Sequence, residues 1–222
     1  MDKLLEAYSG DRARDYDSRR SKSSRWKAEI AAFESMLSKS KATSVLDCPF
    51  GTGRWITQYA EHDLNVIGVD LSAGMLEEAE AKIAALPEAK QERFSLKEKS
   101  IFDLSPTDFP DQPNLIVCVR FLNWISASEV EKVLDLLSAF QAKEMIVGAS
   151  VVPKKSGPLA RFWYWISLKL INFRHPNRPA QYVHDEGGFL NVLNSHGWRI
   201  ADQVQTMKRN ARVNYLYHCI RD

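Results

Sequence analysis

Cysteine is scarce in this 222-residue chain: Cys48, Cys118 and Cys219 stand far apart, and no C-x-x-C pair occurs. An odd set without a framework excludes a disulfide scaffold and fits a reducing compartment. Long apolar runs are missing too, since none approaches the roughly 18 residues that a membrane span needs. The opening Met1-Asp2-Lys3-Leu4-Leu5-Glu6 lacks the basic-then-apolar order of a secretory signal, so a cytoplasmic protein is expected. Neither sign of charge dominates. With 30 Lys and Arg against 28 Asp and Glu, the net +2 is too small to point to nucleic acid. No repeat or low-complexity tract interrupts the chain, and no metal site is expected.

What is present begins with two short apolar runs that each end in a carboxylate: Val45-Leu46-Asp47 and Val66-Ile67-Gly68-Val69-Asp70. The first feeds Cys48-Pro49-Phe50-Gly51-Thr52-Gly53-Arg54-Trp55, a turn whose Gly51 and Gly53 let backbone approach a ligand closely. In an open parallel sheet, ligands sit beyond the carboxyl ends of the strands. An acid on the second strand is there placed to accept from ribose hydroxyls. Asp70 is that acid. The spacing is not G-x-G-x-x-G, because Trp55-Ile56 stands where a third glycine would be, and no Gly-Lys-Ser/Thr of a P-loop follows.

The alternation of patterns predicts a single α/β domain. Strands are expected at 44–47, 65–70, 91–102, 115–119 and 145–149, and helices at 25–37, 52–60, 72–86 and 128–140, the last capped by Ser128. Leu115–Val119 reads as a strand buried on both faces. Asp185 is a plausible N-cap for a helix stopped by Gly197, and strands near 198–204 and 214–220 follow with no helix between them. They should pair as an antiparallel hairpin at one sheet edge. Strand-helix alternation elsewhere implies right-handed crossovers and helices on both faces of a parallel sheet. Four regions result: an arm and helix (1–40), a core (41–150), an insertion (151–183), and a closing helix with its hairpin (184–222).

Asp47-Cys48-Pro49-Phe50-Gly51-Thr52-Gly53 resembles motif I of the class I S-adenosylmethionine-dependent methyltransferases, D/E-x-G-x-G-x-G, in its small-molecule branch. Pro49 replaces the first glycine and has no N–H to give. The resemblance runs from about Tyr16 onward and implies a Rossmann-like, doubly wound, seven-stranded sheet with S-adenosyl-L-methionine as cofactor and S-adenosyl-L-homocysteine as product. Leu71-Ser72-Ala73-Gly74-Met75 resembles the family's D-x-S-x-x-M segment, which implies Ser72 as a helix cap and Met75 against adenine. Ser100-Ile101-Phe102-Asp103 resembles the third motif, with Phe102 covering the ring and Asp103 accepting from its amine. Asn114 to Ile125 resembles the fourth. It implies Arg120 near the methionine carboxylate, with Asn123 and Trp124 facing the transferred methyl. Tyr16-Asp17-Ser18-Arg19-Arg20 resembles a Y-D-x-R arm that folds over the cofactor, bringing in Tyr16 and Arg20.

Methyl transfer from a sulfonium is an in-line displacement with a neutral leaving group, so holding the acceptor in line is the main demand. Ring faces also attract the sulfonium charge. His184 is the candidate base, since imidazole titrates near neutrality; His62, His175, His196 and His218 have less positional support. Pro153 to Pro179 carries Lys154, Lys155, Arg161, Lys169, Arg174 and Arg178 with no acid, around the aromatic-rich Leu159–Ile171. A connection of this length is usually functional. A lid over a small-molecule acceptor, a contact with an anionic membrane or a lipid-linked, phosphorylated acceptor, RNA binding and a dimer interface all stay open, with a monomer or a homodimer equally compatible. A cofactor-binding protein without catalysis and an NAD(P)-dependent oxidoreductase are the alternative functions.

Overall fold

The computed structural model describes residues 22–154, 156–174, 180–209 and 211–222. The Tyr16–Arg20 segment lies outside the described residues, as do Lys155, His175 and Arg178. Eight strands among the described residues form one sheet: β1 (Ser44–Asp47), β2 (Asn65–Asp70), β3 (Phe94–Glu98), β4 (Leu115–Cys118), β5 (Glu144–Val152), β6 (His184–Asp185), β7 (Arg199–Arg209) and β8 (Arg212–Ile220). Their order is β3-β2-β1-β4-β5-β8-β7, with β6 pairing beyond this path on β5. β1 to β5 run parallel, whereas β8 pairs antiparallel with both β5 and β7. The terminal hairpin is therefore where the sequence placed it.

Strand alternation divides the core in two. Leu46, Ile116, Cys118, Met145 and Val147 face one layer, and Val45, Leu115, Val117 and Ile146 face the other. The first layer packs on α5 (Ala127–Ser138) and α7 (Glu186–Ser195) through Val130, Val133, Leu134, Leu137, Phe189 and Leu193. The second packs on α1 (Ser24–Leu37), α2 (Ile56–Glu61) and α3 (Ala73–Ala84) through Phe33, Met36, Tyr59, Leu76 and Ala79. All three cysteines are buried within these layers. Burial pushes their thiols up, which makes them small apolar residues and poor nucleophiles.

Several boundaries differ from the sequence reading. The segment 91–102 holds a short helix, α4 (Glu88–Gln91), then β3, then a 3-10 turn at Ile101–Asp103. The cap of α5 is Ser126, not Ser128: Ser126 accepts from the Glu129 N–H and Glu129 reaches back to the Ser126 N–H, a capping box. The turn after β1 runs through Trp55 before α2 begins. β5 runs on to Val152, and the two-residue β6 was not expected. Ser72 and Asp185 do cap α3 and α7, and Gly197, at φ +79°, ends α7 in the left-handed conformation. Pro158–Arg174 forms a 17-residue helix, α6. No helix among the described residues is long and apolar enough to cross a membrane.

Candidate active site

The C-terminal tips of β1, β2 and β4 meet at one edge, where the β1 and β4 connections leave on opposite faces of the sheet. The loop after β1 is tied to both neighbours: Cys48 N–H donates to the Val117 carbonyl and Phe50 N–H to that of Val69. Gly51 N–H donates to Asp70 Oδ2 at 2.8 Å, and Ser72 N–H donates to Asp70 Oδ1 at 2.9 Å. Asp70 thus fixes the bend with one bond to each oxygen. A carboxylate has about four acceptor sites, so capacity remains for further donors. Burial pushes Asp70 up, and backbone N–H groups of Ser72, Gly51 and Leu71 oppose that shift.

Gly51 and Gly53 both adopt positive φ, +58° and +67°. Their roles differ. A Cβ on Gly51 would meet nothing within 4 Å, which leaves open space in front of the loop, whereas one on Gly53 would strike the Ile56 side chain at 2.1 Å. Gly53 therefore serves packing of the loop onto α2 and α3, and not close approach to a ligand.

The cleft has a volume of about 150 Å³. Pro49, Gly51, Asp70, Leu71, Met75, Arg120 and Trp124 all line it. Other expected residues stand back. Asp103 is exposed, Phe102 packs edge-on against Phe121 at 6.3 Å, and their neighbours Lys99, Ser100 and Ile101 line the wall instead. The 3-10 turn that replaced an expected strand end causes this shift. Asn123 is buried, its carbonyl accepting from the Tyr182 N–H at 2.8 Å. His184 is also buried; its Nε2 donates to the Leu122 carbonyl at 2.8 Å, and burial lowers its pKa, so it is neutral at pH 7.

Asp47 sits behind the loop, 2% exposed, accepting from the Tyr59 hydroxyl at 2.9 Å. Burial, which the Tyr59 bond only partly offsets, raises its pKa well above the carboxylate range, and Asp70 adds to the rise. The native state holds this proton more tightly than the unfolded chain, so stability falls as pH rises from the ordinary carboxylate range toward the native value. Asp47→Asn keeps an acceptor for Tyr59 and removes that cost. We expect melting curves of the two proteins to coincide near about pH 4. As pH rises, the variant should gain by about 1–2 kcal/mol, or a few degrees. A variant less stable at every pH would show that Asp47 is needed as a carboxylate for folding itself.

On the cationic side of the cleft, sequence reasoning named Arg120 but missed the cluster that holds it. Glu29 on α1, 2% exposed, accepts from Arg25 Nε at 2.7 Å, Arg54 Nη1 at 2.5 Å and Arg120 Nη1 at 3.3 Å. The Arg54 guanidinium lies 3.8 Å from the Trp26 ring centre and 4.4 Å from that of Trp55. Arg120, not glycine, holds φ +66°, which is backbone strain at the ligand edge. Arg25 is a local partner, four residues before Glu29, but Arg54 and Arg120 are 25 and 91 residues away, so no local pattern announces the cluster.

The sheet order, with its cleft at the tips of β1, β2 and β4, defines a Rossmann-like α/β fold of the methyltransferase type. Residues 45–141 match the family model described as a methyltransferase domain. That stretch runs from β1 through the end of α5. No curated protein matches the sequence. Among solved structures, magnesium protoporphyrin IX methyltransferase from Synechocystis PCC 6803 with bound SAH is similar at a TM-score of 0.75 and 16% identity, covering 100% of each chain. Geranyl diphosphate C-methyltransferase from Streptomyces coelicolor A3(2) is similar at a TM-score of 0.64 and 12% identity, covering 86% of this chain and 79% of that one. These likenesses establish the fold.

Proposed function

We propose that this chain transfers a methyl group from S-adenosylmethionine to a small-molecule acceptor. The observation that carries the reading is Asp70: a buried carboxylate at the tip of β2, pinned to the β1 loop through Gly51 and lining the cleft. The cofactor supplies an electrophilic methyl on a sulfonium. The lining suits that group. Asp70 retains acceptor capacity for ribose hydroxyls, Leu71 and Met75 offer an apolar, polarisable wall for adenine, and Gly51 leaves the loop face open. Arg120, which lines the cleft, would meet the methionine carboxylate, and Trp124 would wall the side of the methyl.

His184 and Asn123 enter this reading as positioning residues. Their bonds hold the 3-10 turn Leu122–Trp124, and with it the Trp124 ring, against the β6 strand and Tyr182. His184 spends its Nε2 proton on the Leu122 carbonyl and is not assigned as the base. The acceptor enters over the extended end of β5, which runs five residues beyond Val147, the partner of Cys118 at the end of β4. A phosphorylated or lipid-linked small molecule suits the basic insertion that follows.

Thermal denaturation with S-adenosylhomocysteine and with NAD tests the reading. At a hundredfold excess over Kd a native-state ligand stabilises by about 2.7 kcal/mol, which is about 5–11 °C for a chain of this size. The first ligand should give such a shift and NAD none. A shift with NAD alone sinks the proposal in favour of an oxidoreductase. Incubation of metabolite extracts with methyl-labelled cofactor then identifies the acceptor. A chain that binds the cofactor yet labels nothing would be a binding protein.

A further inference from the structure

Helix α6 is turned inside out. At 3.6 residues per turn, Leu159, Phe162, Trp163, Ile166, Leu170 and Phe173 fall on one stripe. Five of these six are exposed, from 49% at Leu170 through 61% at Trp163 to 84% at Phe173. The opposite side is the one that meets the protein, and it does so with polar groups. Arg161 pairs with Asp185, the Tyr164 hydroxyl bonds with Arg212, and the Asn172 amide exchanges two hydrogen bonds with the Gln181 backbone at 3.4 Å. An ordinary surface helix buries its apolar stripe and shows its polar face to water. Here specific polar bonds hold the apolar stripe outward, so the stripe is built for something outside the chain.

Charge indicates what that is. Lys154, Lys169 and Arg174 are exposed around the stripe, and 153–179 contains no acid. Lys169 Nζ lies 3.8 Å from the centre of the Trp165 ring, itself 54% exposed, so its stem runs along apolar surface while its charge reaches outward. A second copy of this chain is a poor occupant. A two-fold contact sets the same patch against itself and would bring these cations together. An apolar stripe with interfacial tryptophans and a basic border matches an anionic bilayer surface.

We infer that α6 docks this protein on anionic membranes, lying in the headgroup region without spanning it. The inference goes beyond methyl transfer and does not depend on it. Docking would place the mouth of the acceptor side, next to the end of β5, at the lipid surface.

Sedimentation of the full chain with vesicles of phosphatidylcholine, alone or mixed with phosphatidylglycerol, tests this. Binding is expected only with the anionic mixture and should weaken at high salt. Each Lys or Arg near such a surface contributes about fivefold to partitioning, so Lys169→Gln with Arg174→Gln should reduce binding about 25-fold. Trp163→Ser with Phe173→Ser should abolish it. All four positions are exposed, and unchanged unliganded melting temperatures confirm folding whether or not S-adenosylhomocysteine binds. Absence of vesicle binding overturns the inference, as does binding indifferent to lipid charge. A dimer in sedimentation velocity that the Trp163/Phe173 pair breaks, with vesicles ignored, assigns the stripe to self-association instead.

Discussion

Asp70→Ala is expected to lower affinity for S-adenosylhomocysteine by at least about a hundredfold: two hydrogen bonds to a charged acceptor are worth about 1.5–3 kcal/mol each, and 1.4 kcal/mol is a factor of ten. The variant also removes the acceptor of the Gly51 and Ser72 N–H groups, so the bend loses its clasp as well as its ribose contact. Asp70→Asn is the milder change. It keeps the shape but must turn an NH2 toward one of those N–H donors, so it too should bind weakly. Affinity of the unsubstituted protein should also fall in acid. Since burial raises the Asp70 pKa, the ionised acceptor is lost at a higher pH than an exposed aspartate would be. Calorimetric titration across pH reads both effects. An intact affinity in Asp70→Ala would remove the ribose assignment, and with it the argument that the cleft holds a nucleoside.

The parts of this site that the sequence declared are those in which one local rule and one long-range requirement coincide. A run such as Leu115–Cys118 is apolar because both faces of its strand are covered, and all four residues are buried. Asp70 ends such a run, and its position on the edge follows from the strand alone. The acceptors and turns were less legible. Ile101–Asp103 carries the same residue types as a strand end, and only the Ser100 side chain, accepting from the Phe102 N–H, turns it into a 3-10 helix that shows Ser100 to the cleft and Asp103 to water. β6 has two residues, too few for any periodicity. For α6 the sequence shows an amphipathic stripe and says nothing of which side faces in. That choice is made by Asp185, Arg212 and Gln181, none of them on the helix.

Glu29→Ala is expected to cost about 3–5 kcal/mol of stability, because it strips the buried carboxylate from the three guanidinium groups that share it. For a chain of this size that is a loss of about 6–20 °C in melting temperature. Burial alone would raise the Glu29 pKa, but Arg25, Arg120 and Arg54 outweigh it and hold the carboxyl below its ordinary value. The sign of the pH dependence follows. Stability from this cluster is fully present above the ordinary glutamate range and disappears as pH falls through the lower, native value. Glu29→Gln should behave like the alanine variant at neutral pH, since an amide cannot neutralise three cations, and the difference from the unsubstituted protein should shrink in acid. The cluster also bears on the cofactor. Arg120 lines the cleft while sharing Glu29 with Arg54, so the same carboxylate that stabilises α1 against the sheet sets where the Arg120 guanidinium points. Among Glu29→Gln molecules that remain folded at low temperature, S-adenosylhomocysteine should bind at reduced affinity. Tight binding in that variant would show that Arg120 is oriented by the loop backbone, with its φ of +66°, and not by its acid.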